Sequence, residues 1–254
     1  MARLSPERAL FALLLVLVAA LALWQFSWLG ASWDTPIPHG PGEDWDWQLT
    51  PLEAARQALL EGSLPVWNPY THGGGPLLGH PEVPALYPGM VLVLLFGAEA
   101  GLKLMMAGHL LLLVLGFGLA GRQLGLSPLS AQLPALFLLC SAFLPGFLGW
   151  GHVMFLPLGY LPLAWVALRR RRGALAGLLL GLCGLAGGHY LLLYGLVWLT
   201  LDAVLRSVEE PRLRWLALPL LLNGLLLGEH RLAWPIGGLL LVALALQRRG
   251  AWRH

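Results

Sequence analysis

Apolar runs of about 20 residues recur along this chain, and they constrain its fold more than any other feature. The first run, residues 9–29, has the sequence ALFALLLVLVAALALWQFSWL. A helix of about 20 such residues is long enough to cross the apolar core of a bilayer. Of the 254 residues 57% are hydrophobic and only 11% are charged, which leaves too little charge to cover a soluble domain of this length. We therefore predict an all-α integral membrane protein, folded as a multi-span helical bundle.

Eight segments of the chain are predicted to be membrane spans. The apolar segment 85–97 is not counted because its 13 residues are too few to cross a bilayer, and an interfacial or re-entrant helix is predicted there instead. The first run also fits a cleaved signal peptide, but its length favours an uncleaved anchor. The predicted spans are residues 9–29, 100–121, 127–149, 152–168, 173–188, 189–206, 213–228 and 231–247.

The basic residues are distributed unevenly about the predicted spans. With the N-terminus in the cytoplasm, 13 of the 16 Lys and Arg residues fall on the cytoplasmic side, as the positive-inside rule requires. If segment 85–97 were a further span, the run RRRR at 169–172 would face outward. The net charge of +3 comes from residues that flank spans, so no nucleic-acid partner is predicted. We predict one multi-pass membrane domain, residues 1–254, with a cytoplasmic N-terminus and an outer loop at residues 30–99.

Carboxylates gather on the opposite side, most densely in the stretch GEDWDWQLTP at residues 42–51. For any single carboxylate in this stretch, a solvated acidic turn with interfacial tryptophans is favoured over a catalytic role. In the catalytic alternative, a carboxylate acts as a general base or as a metal ligand at the membrane surface. Asp44 and Asp46 are the candidates, although side chains two residues apart on a helix are separated by about 200°, which does not favour a shared site.

The rest of the outer loop divides into a predicted helix and an irregular segment. The helix, residues 50–62, has Thr50 as its N-cap, Pro51 at the first helical position and Glu53 completing a capping box, and it ends at a glycine. Residues 63–89 contain six prolines and five glycines, which excludes a regular element. Large apolar side chains distinguish this segment from a flexible linker and predict a rigid loop packed on the helices. They are Trp67, Tyr70, Leu77, Leu78 and Tyr87.

Residues 44–97 carry a specific combination of motifs: an aspartate, a proline seven residues later, a helix, and then G-x-LP-x-WNP, GG-x-P and YP. This combination resembles the first outer loop of bacterial YfhO-like membrane proteins, which are similar to the GT-C class of glycosyltransferases. The segments GWGHVMFLPLGYLPLAWVAL and LAGGHYLLLY extend the resemblance over residues 1–200. The matching positions are Asp44, Pro51, Gly62, Leu64-Pro65, Trp67-Asn68-Pro69, Gly74-Gly75-Pro76 and Tyr87-Pro88.

The resemblance implies a GT-C-like fold, with two surface helices in the first outer loop, and transfer of a sugar from a polyprenyl-phosphate donor. The acceptor would be an envelope glycan, lipid or protein at the outer face of the bacterial cytoplasmic membrane. The class also implies that the first aspartate of the loop takes the proton from the acceptor hydroxyl, so Asp44 is the candidate base and Asp46 the second. A divalent metal cofactor stays open. The candidate substrate-binding residues are Gln48, Trp67, Asn68, His80, Glu82, Tyr87, His152 and His189.

Two other functions remain open for this sequence. Members of the family are usually much longer than this chain, which keeps a truncated and catalytically inactive scaffold as one alternative. A lipid or glycan flippase is the other, but transporters usually carry ionisable groups at mid-bilayer. Away from the ends of the predicted spans such groups are few, namely His109 and Asp202, and Asp202 lies near a cytoplasmic end. The transferase is therefore the favoured hypothesis.

Overall fold

A computed structural model describes residues 5–25, 44–70 and 73–209, and most of these residues are helical, which confirms the predicted helical class. Two short strands, β1 (Trp67–Asn68) and β2 (Gly75–Pro76), pair antiparallel. The helices are α1 (Pro6–Gln25), α2 (Trp45–Leu60), α3 (Met90–Phe96), α4 (Ala98–Gln123), α5 (Pro128–Cys140), α6 (Phe143–Gly149), a 3₁₀ helix (Val153–Gly159), α7 (Tyr160–Arg169), α8 (Gly173–Leu185) and α9 (His189–Glu209).

Three helical segments of the described chain are long and apolar enough to cross a membrane, namely Pro6–Trp24, Ala98–Gln123 and Pro128–Gly149. They support a membrane protein. The apolar helices Val153–Arg169 and Gly173–Leu185 are shorter, at 10–17 residues. The last two predicted spans, at 213–228 and 231–247, lie outside the described residues, so the count of eight spans stays a prediction.

The predicted start of the first loop helix is wrong, because α2 begins at Trp45 rather than at Thr50. Pro51 therefore lies inside the helix and not at its first position. Burial explains the earlier start, since Trp45 and Leu52 are 1% and 2% exposed and share one face of the helix. A proline inside a helix removes one helical hydrogen bond and its ring crowds the carbonyl four residues earlier, and the burial of Trp45 and Leu52 offsets this cost.

The two ends of α2 are held in different ways. The predicted capping box is absent, because Glu53 Oε1 instead accepts hydrogen bonds from Arg56 Nη1 at 3.0 Å and Gln57 Nε2 at 2.6 Å. The predicted stop at Gly62 is confirmed, since this residue has φ +75° and donates its N–H to Leu59 O at 3.1 Å. Ser63 N–H donates to Ala58 O at 2.9 Å, which completes the Schellman pattern.

The proline-rich segment after α2 is anchored at one end and exposed at the other. Leu77 is fully buried and Tyr87 is partly buried, as predicted for a packed loop. Trp67 and Tyr70 are 57% and 70% exposed, so the prediction of a packed loop fails for them. The indole of Trp67 instead lies over the short strand pair, where a Cβ added to Gly74 would sit 2.5 Å from its Nε1. The hairpin thus packs on itself.

The predicted span 127–149 is divided into α5 and α6. Ser127 caps α5, since its Oγ accepts from Ser130 N–H at 3.2 Å and Pro128 follows at the first helical position. Ser141 is extended, with ψ 165°, and its Oγ accepts from Phe143 N–H at 3.3 Å. A serine side chain that bonds to the backbone ends one helix and starts the next.

The core consists of two hydrophobic clusters that meet at Tyr87 and Leu158. The first gathers α1 to α6 with the outer loop, and the second gathers α7 to α9. Helix α4 lies between them, and glycines allow the backbones to approach closely. A Cβ on Gly116 would sit 2.6 Å from Gly159 O, and a Cβ on Gly159 would sit 2.4 Å from Leu113 N. This packing brings the outer loop beside the 3₁₀ helix and the turn between α8 and α9.

Candidate functional site

The carboxylate of Asp44 lies beside the imidazole of His152. Asp44 Oδ2 is 3.5 Å from His152 Nδ1, and the two side chains are 51% and 32% exposed. The backbone makes the same connection, since Asp44 N–H donates to Trp150 O at 2.8 Å. Gly151 has φ +87°, and a Cβ there would lie 2.9 Å from the carbonyl carbon of Asp44. The turn at 150–152 therefore holds the predicted base next to a predicted substrate-binding histidine.

One helical turn farther along α2, Gln48 begins a second group of polar side chains. Its Nε2 donates to Glu82 Oε2 at 3.3 Å. Glu82 N–H donates in turn to His80 Nδ1 at 3.3 Å, and the His80 ring lies 5.7 Å from the ring of Trp47. These contacts join three of the predicted substrate-binding residues, from α2 and from the proline-rich segment.

His189 approaches this group through the turn between α8 and α9. Gly187 has φ +89°, and a Cβ there would lie 2.8 Å from Glu82 O. His189 Nδ1 makes a 3.2 Å hydrogen bond with Gly187 O, and its ring lies 4.0 Å from the ring of Tyr190. The structure thus places His189 two residues from the backbone contact with Glu82, at the edge of the group.

A pocket lies between α2, α4 and the 3₁₀ helix. The pocket and the open solvent at its mouth together amount to about 400 Å³. Gln48, Glu82, Tyr87 and His109 provide its polar lining, and the other lining side chains are apolar. Apolar walls with a few converging polar groups are typical of small-molecule sites. Since Gln48 is one turn from Asp44 on α2, the pocket is adjacent to the Asp44–His152 pair.

His109 was not among the predicted site residues, although it stood out as an ionisable residue within a predicted span. Its ring stacks on Tyr87 at 5.5 Å and meets the edge of Tyr160 at 5.9 Å. The hydroxyls of these tyrosines are 2.7 Å apart. Burial raises the pKa of Tyr87 above its ordinary value of 10.0, so this phenol stays protonated near neutral pH. The sequence carried no signal that the three rings would meet.

The remaining predicted residues lie apart from the pocket. Asn68 is 4% exposed, and its Oδ1 accepts from Tyr70 N–H at 3.0 Å, which is a turn-forming bond. Trp67 is exposed beside it in the hairpin. Asp46 is exposed in the first turn of α2, and the contact with His152 is made by Asp44. The motif WNP thus has a structural role in the hairpin.

The cations that the sequence predicts on the outer side, Arg56 and Lys103, are bonded to neighbouring residues in the described chain. Arg56 donates to Glu53 at 3.0 Å and to Val93 O at 3.1 Å. Lys103 is 1% exposed and forms a 3.1 Å ion pair with Glu99. The third predicted outer cation, Arg231, lies outside the described residues. Within residues 5–25, 44–70 and 73–209, no group of three or more His, Cys, Asp or Glu residues is arranged to hold a metal ion.

Comparisons of the chain with protein-family models, curated proteins and solved structures found no match. The chemistry available to the site follows from its own side chains. A carboxylate beside an imidazole can take a proton from a hydroxyl group. The adjacent pocket offers a carboxylate, an amide and an imidazole to a polar ligand.

Proposed function

We propose that the chain is a membrane glycosyltransferase. It moves a sugar from a polyprenyl-phosphate donor to an acceptor at the outer face of the bacterial cytoplasmic membrane. The observation that supports this most is the pairing of Asp44 with His152, at 3.5 Å, beside a pocket with polar lining. The resemblance of residues 44–97 to the YfhO-like outer loop and the three apolar helices agree with it.

In the proposed reaction, Asp44 is the general base. It takes the proton from an acceptor hydroxyl, whose oxygen attacks the anomeric carbon of the donor sugar. The bond between that carbon and the phosphate oxygen breaks, and polyprenyl phosphate leaves with the electron pair. His152 positions the carboxylate, and its ring carries a proton donor when Nδ1 is protonated. Asp46 remains the second candidate for the base.

The two parts of the donor would lie in different environments. Its polyprenyl tail lies in the bilayer, while the phosphate and the sugar sit at the outer surface. In this proposal α2 and α3 are the two surface helices of a GT-C-like loop. His152 and His189 are the groups for the phosphate, because Arg56 and Lys103 already bind neighbouring carboxylates.

The test is release of polyprenyl phosphate, measured by mass spectrometry. Purified wild type, Asp44→Asn and Asp46→Asn are compared in lipid, with a panel of polyprenyl-phosphate sugars and an envelope extract as acceptor. General-base catalysis contributes roughly 10²–10⁴-fold, so Asp44→Asn should lose that much activity while Asp46→Asn stays within a few-fold of wild type. Equal release by wild type and Asp44→Asn would remove Asp44 as the base. No release by any of them would overturn the transferase.

A flippase is the alternative that one observation favours, since His109 is a buried ionisable residue within α4. Movement of a lipid across the bilayer requires no base at the outer surface. In a flipping assay with fluorescent lipid-linked sugars, the flippase alternative predicts that Asp44→Asn moves lipid as fast as wild type. The transferase predicts no flipping by either protein.

A further inference from the structure

We infer that the pocket between α2, α4 and the 3₁₀ helix binds a neutral sugar ring, and that His109 Nε2 accepts a hydrogen bond from one of its hydroxyls. This inference rests on the proposed function, to which it adds the place of the sugar and a binding residue. It follows from the orientation of one imidazole, the chemistry of the pocket lining and the position of the pocket relative to Asp44.

The hydrogen bond at one nitrogen of His109 defines the role of the other. Nδ1 is 2.7 Å from Met105 O, which only accepts hydrogen bonds, so Nδ1 carries a proton. In the neutral imidazole Nε2 is then an acceptor. The side chain is 5% exposed, and Nε2 is buried with no hydrogen-bond partner in the described part of the chain. Nearly all buried polar atoms have a partner, and His109 is one of the residues that line the pocket, so we assign the missing donor to a ligand hydroxyl in this pocket.

The surroundings fix the direction in which Nε2 points. Nδ1 faces the backbone of α4, one turn before His109, so Nε2 faces away from its own helix. The rings of Tyr87 and Tyr160 hold the imidazole on two sides, and their hydroxyls bond each other at 2.7 Å. Rotation of the imidazole would break the bond to Met105 O. The acceptor is therefore preorganised, which lowers the entropic cost of binding a ligand hydroxyl.

The lining of the pocket favours a neutral polyol over an anion. Glu82 and His109 line the pocket as acceptors, and Glu82 can accept from a ligand hydroxyl in addition to the Gln48 amide. The Gln48 amide provides a donor and an acceptor. None of the described residues that line the pocket is Lys or Arg, and Glu82 would repel a phosphate. Leu52 and the ring of Tyr87 add apolar surface for the carbon face of a sugar.

The position of the pocket suits transfer by Asp44. Gln48 lines the pocket, and its N–H donates to Asp44 O at 3.1 Å within α2. A sugar bound in the pocket would therefore lie one helical turn from the base. The phosphate would remain outside the pocket, toward His152, which immediately precedes Val153 in the pocket wall.

The test uses a matched pair of variants and a panel of methyl glycosides. The His109→Asn variant keeps a polar group near the position of Nδ1 but has no atom near the position of Nε2. The His109→Gln variant places an amide oxygen near the position of Nε2. Binding to wild type, His109→Asn and His109→Gln in lipid nanodiscs is measured by calorimetry. Wild type should bind one glycoside of the panel, His109→Asn should bind it at least tenfold more weakly, and His109→Gln should recover part of the loss.

Monodeoxy analogues of the bound glycoside identify the hydroxyl that His109 contacts. Removal of that hydroxyl should weaken binding to wild type at least tenfold and should have no further effect on His109→Asn. Equal affinity of wild type and His109→Asn for every glycoside would overturn the inference, as would binding of none of them. If removal of the hydroxyl weakened binding to wild type and to His109→Asn by the same factor, the inference would also be overturned. The hydroxyl and the His109 side chain would then contribute to binding independently.

The two proposals fail in different ways. If Asp44→Asn abolishes release of polyprenyl phosphate while His109→Asn binds glycosides like wild type, the transferase stands and the sugar pocket falls. If wild type binds a glycoside through His109 but releases no polyprenyl phosphate, the pocket stands and the transferase falls.

Discussion

At the scale of single residues, backbone contacts position Asp44 more than its side chain does. Its carboxylate is half-exposed, yet its N–H is bonded to Trp150 O and its carbonyl carbon lies against Gly151. The positive φ of Gly151 lets the turn at 150–152 come this close without a side chain in the way. The geometry of the candidate base thus depends on a glycine that does no chemistry.

Gly151→Ala is expected to reduce the proposed transfer activity strongly. Its Cβ would meet Asp44 at 2.9 Å, and an alanine at positive φ costs roughly 1–3 kcal/mol. A displacement of about 1 Å at a reacting group lowers a rate by roughly 10²-fold, which is the loss expected in polyprenyl-phosphate release. The matched control is Gly149→Ala, where a Cβ meets nothing within 4 Å. Equal activity of the two variants would show that the turn does not position Asp44.

The sequence identified Asp44 and His152 separately, each by its place in a motif, but it did not show that they meet. Such a contact depends on tertiary packing between segments far apart in the chain, which local spacing does not encode. For His109 the difficulty was different. A histidine within an apolar helix usually has a partner, and only the structure shows that its Nε2 has none in the described part of the chain.

At the scale of elements, the end of α2 was predicted correctly and its start was not. Gly62 ends α2 as expected, because glycine adopts the positive φ of a helix C-terminus more readily than other residues do. The start was wrong, because Thr50 and Pro51 are a capping pattern in sequence while the burial of Trp45 extends the helix beyond it. Tertiary burial overrides a local cap when the buried side chain is large.

Close packing of α4 on α5 depends on Gly121, and Gly121→Ala should destabilise the protein. Its Cβ would lie 2.6 Å from the Cα of Ala131, a backbone atom that cannot yield cheaply. Overpacking of this kind costs about 1–3 kcal/mol, so the midpoint of thermal unfolding in detergent should fall by several degrees.

Gly108→Ala is the matched control on the same helix. A Cβ there meets nothing within 4 Å, and alanine favours helix by up to about 1 kcal/mol over glycine. Its unfolding midpoint should be unchanged or higher. If the unfolding midpoint of Gly121→Ala equalled that of Gly108→Ala, the close approach of α4 and α5 would be contradicted.

At the scale of the whole molecule, charge and packing describe different aspects of the chain. The uneven distribution of Lys and Arg predicts which side of the membrane each loop occupies. The described fold shows instead which segments lie together, with α4 between the two hydrophobic clusters. Periodicity could not predict the division of residues 152–168 into a 3₁₀ helix and α7, since apolar residues are continuous across it.

The predicted topology can be tested by labelling single cysteines with a membrane-impermeant maleimide. In a background without Cys140 and Cys183, Ser63→Cys should be labelled in right-side-out vesicles, because the loop at 30–99 is predicted to face outward. Leu124→Cys should be labelled only after the membrane is permeabilised. Ser63 and Leu124 are both exposed, so burial does not account for a difference between them. The opposite pattern would invert the orientation.

The contacts of Asp44 with the turn at 150–152, and of Glu82 with Gly187, join parts of the chain that are synthesised at different times. At 5–20 residues per second, the roughly 100 residues that separate these partners take on the order of 5–20 s to translate. During that interval the nascent chain presents the outer loop without the histidine that completes its pair. A ribosome that stops before the turn at 150–152 therefore releases a product that carries the loop but not the Asp44–His152 pair.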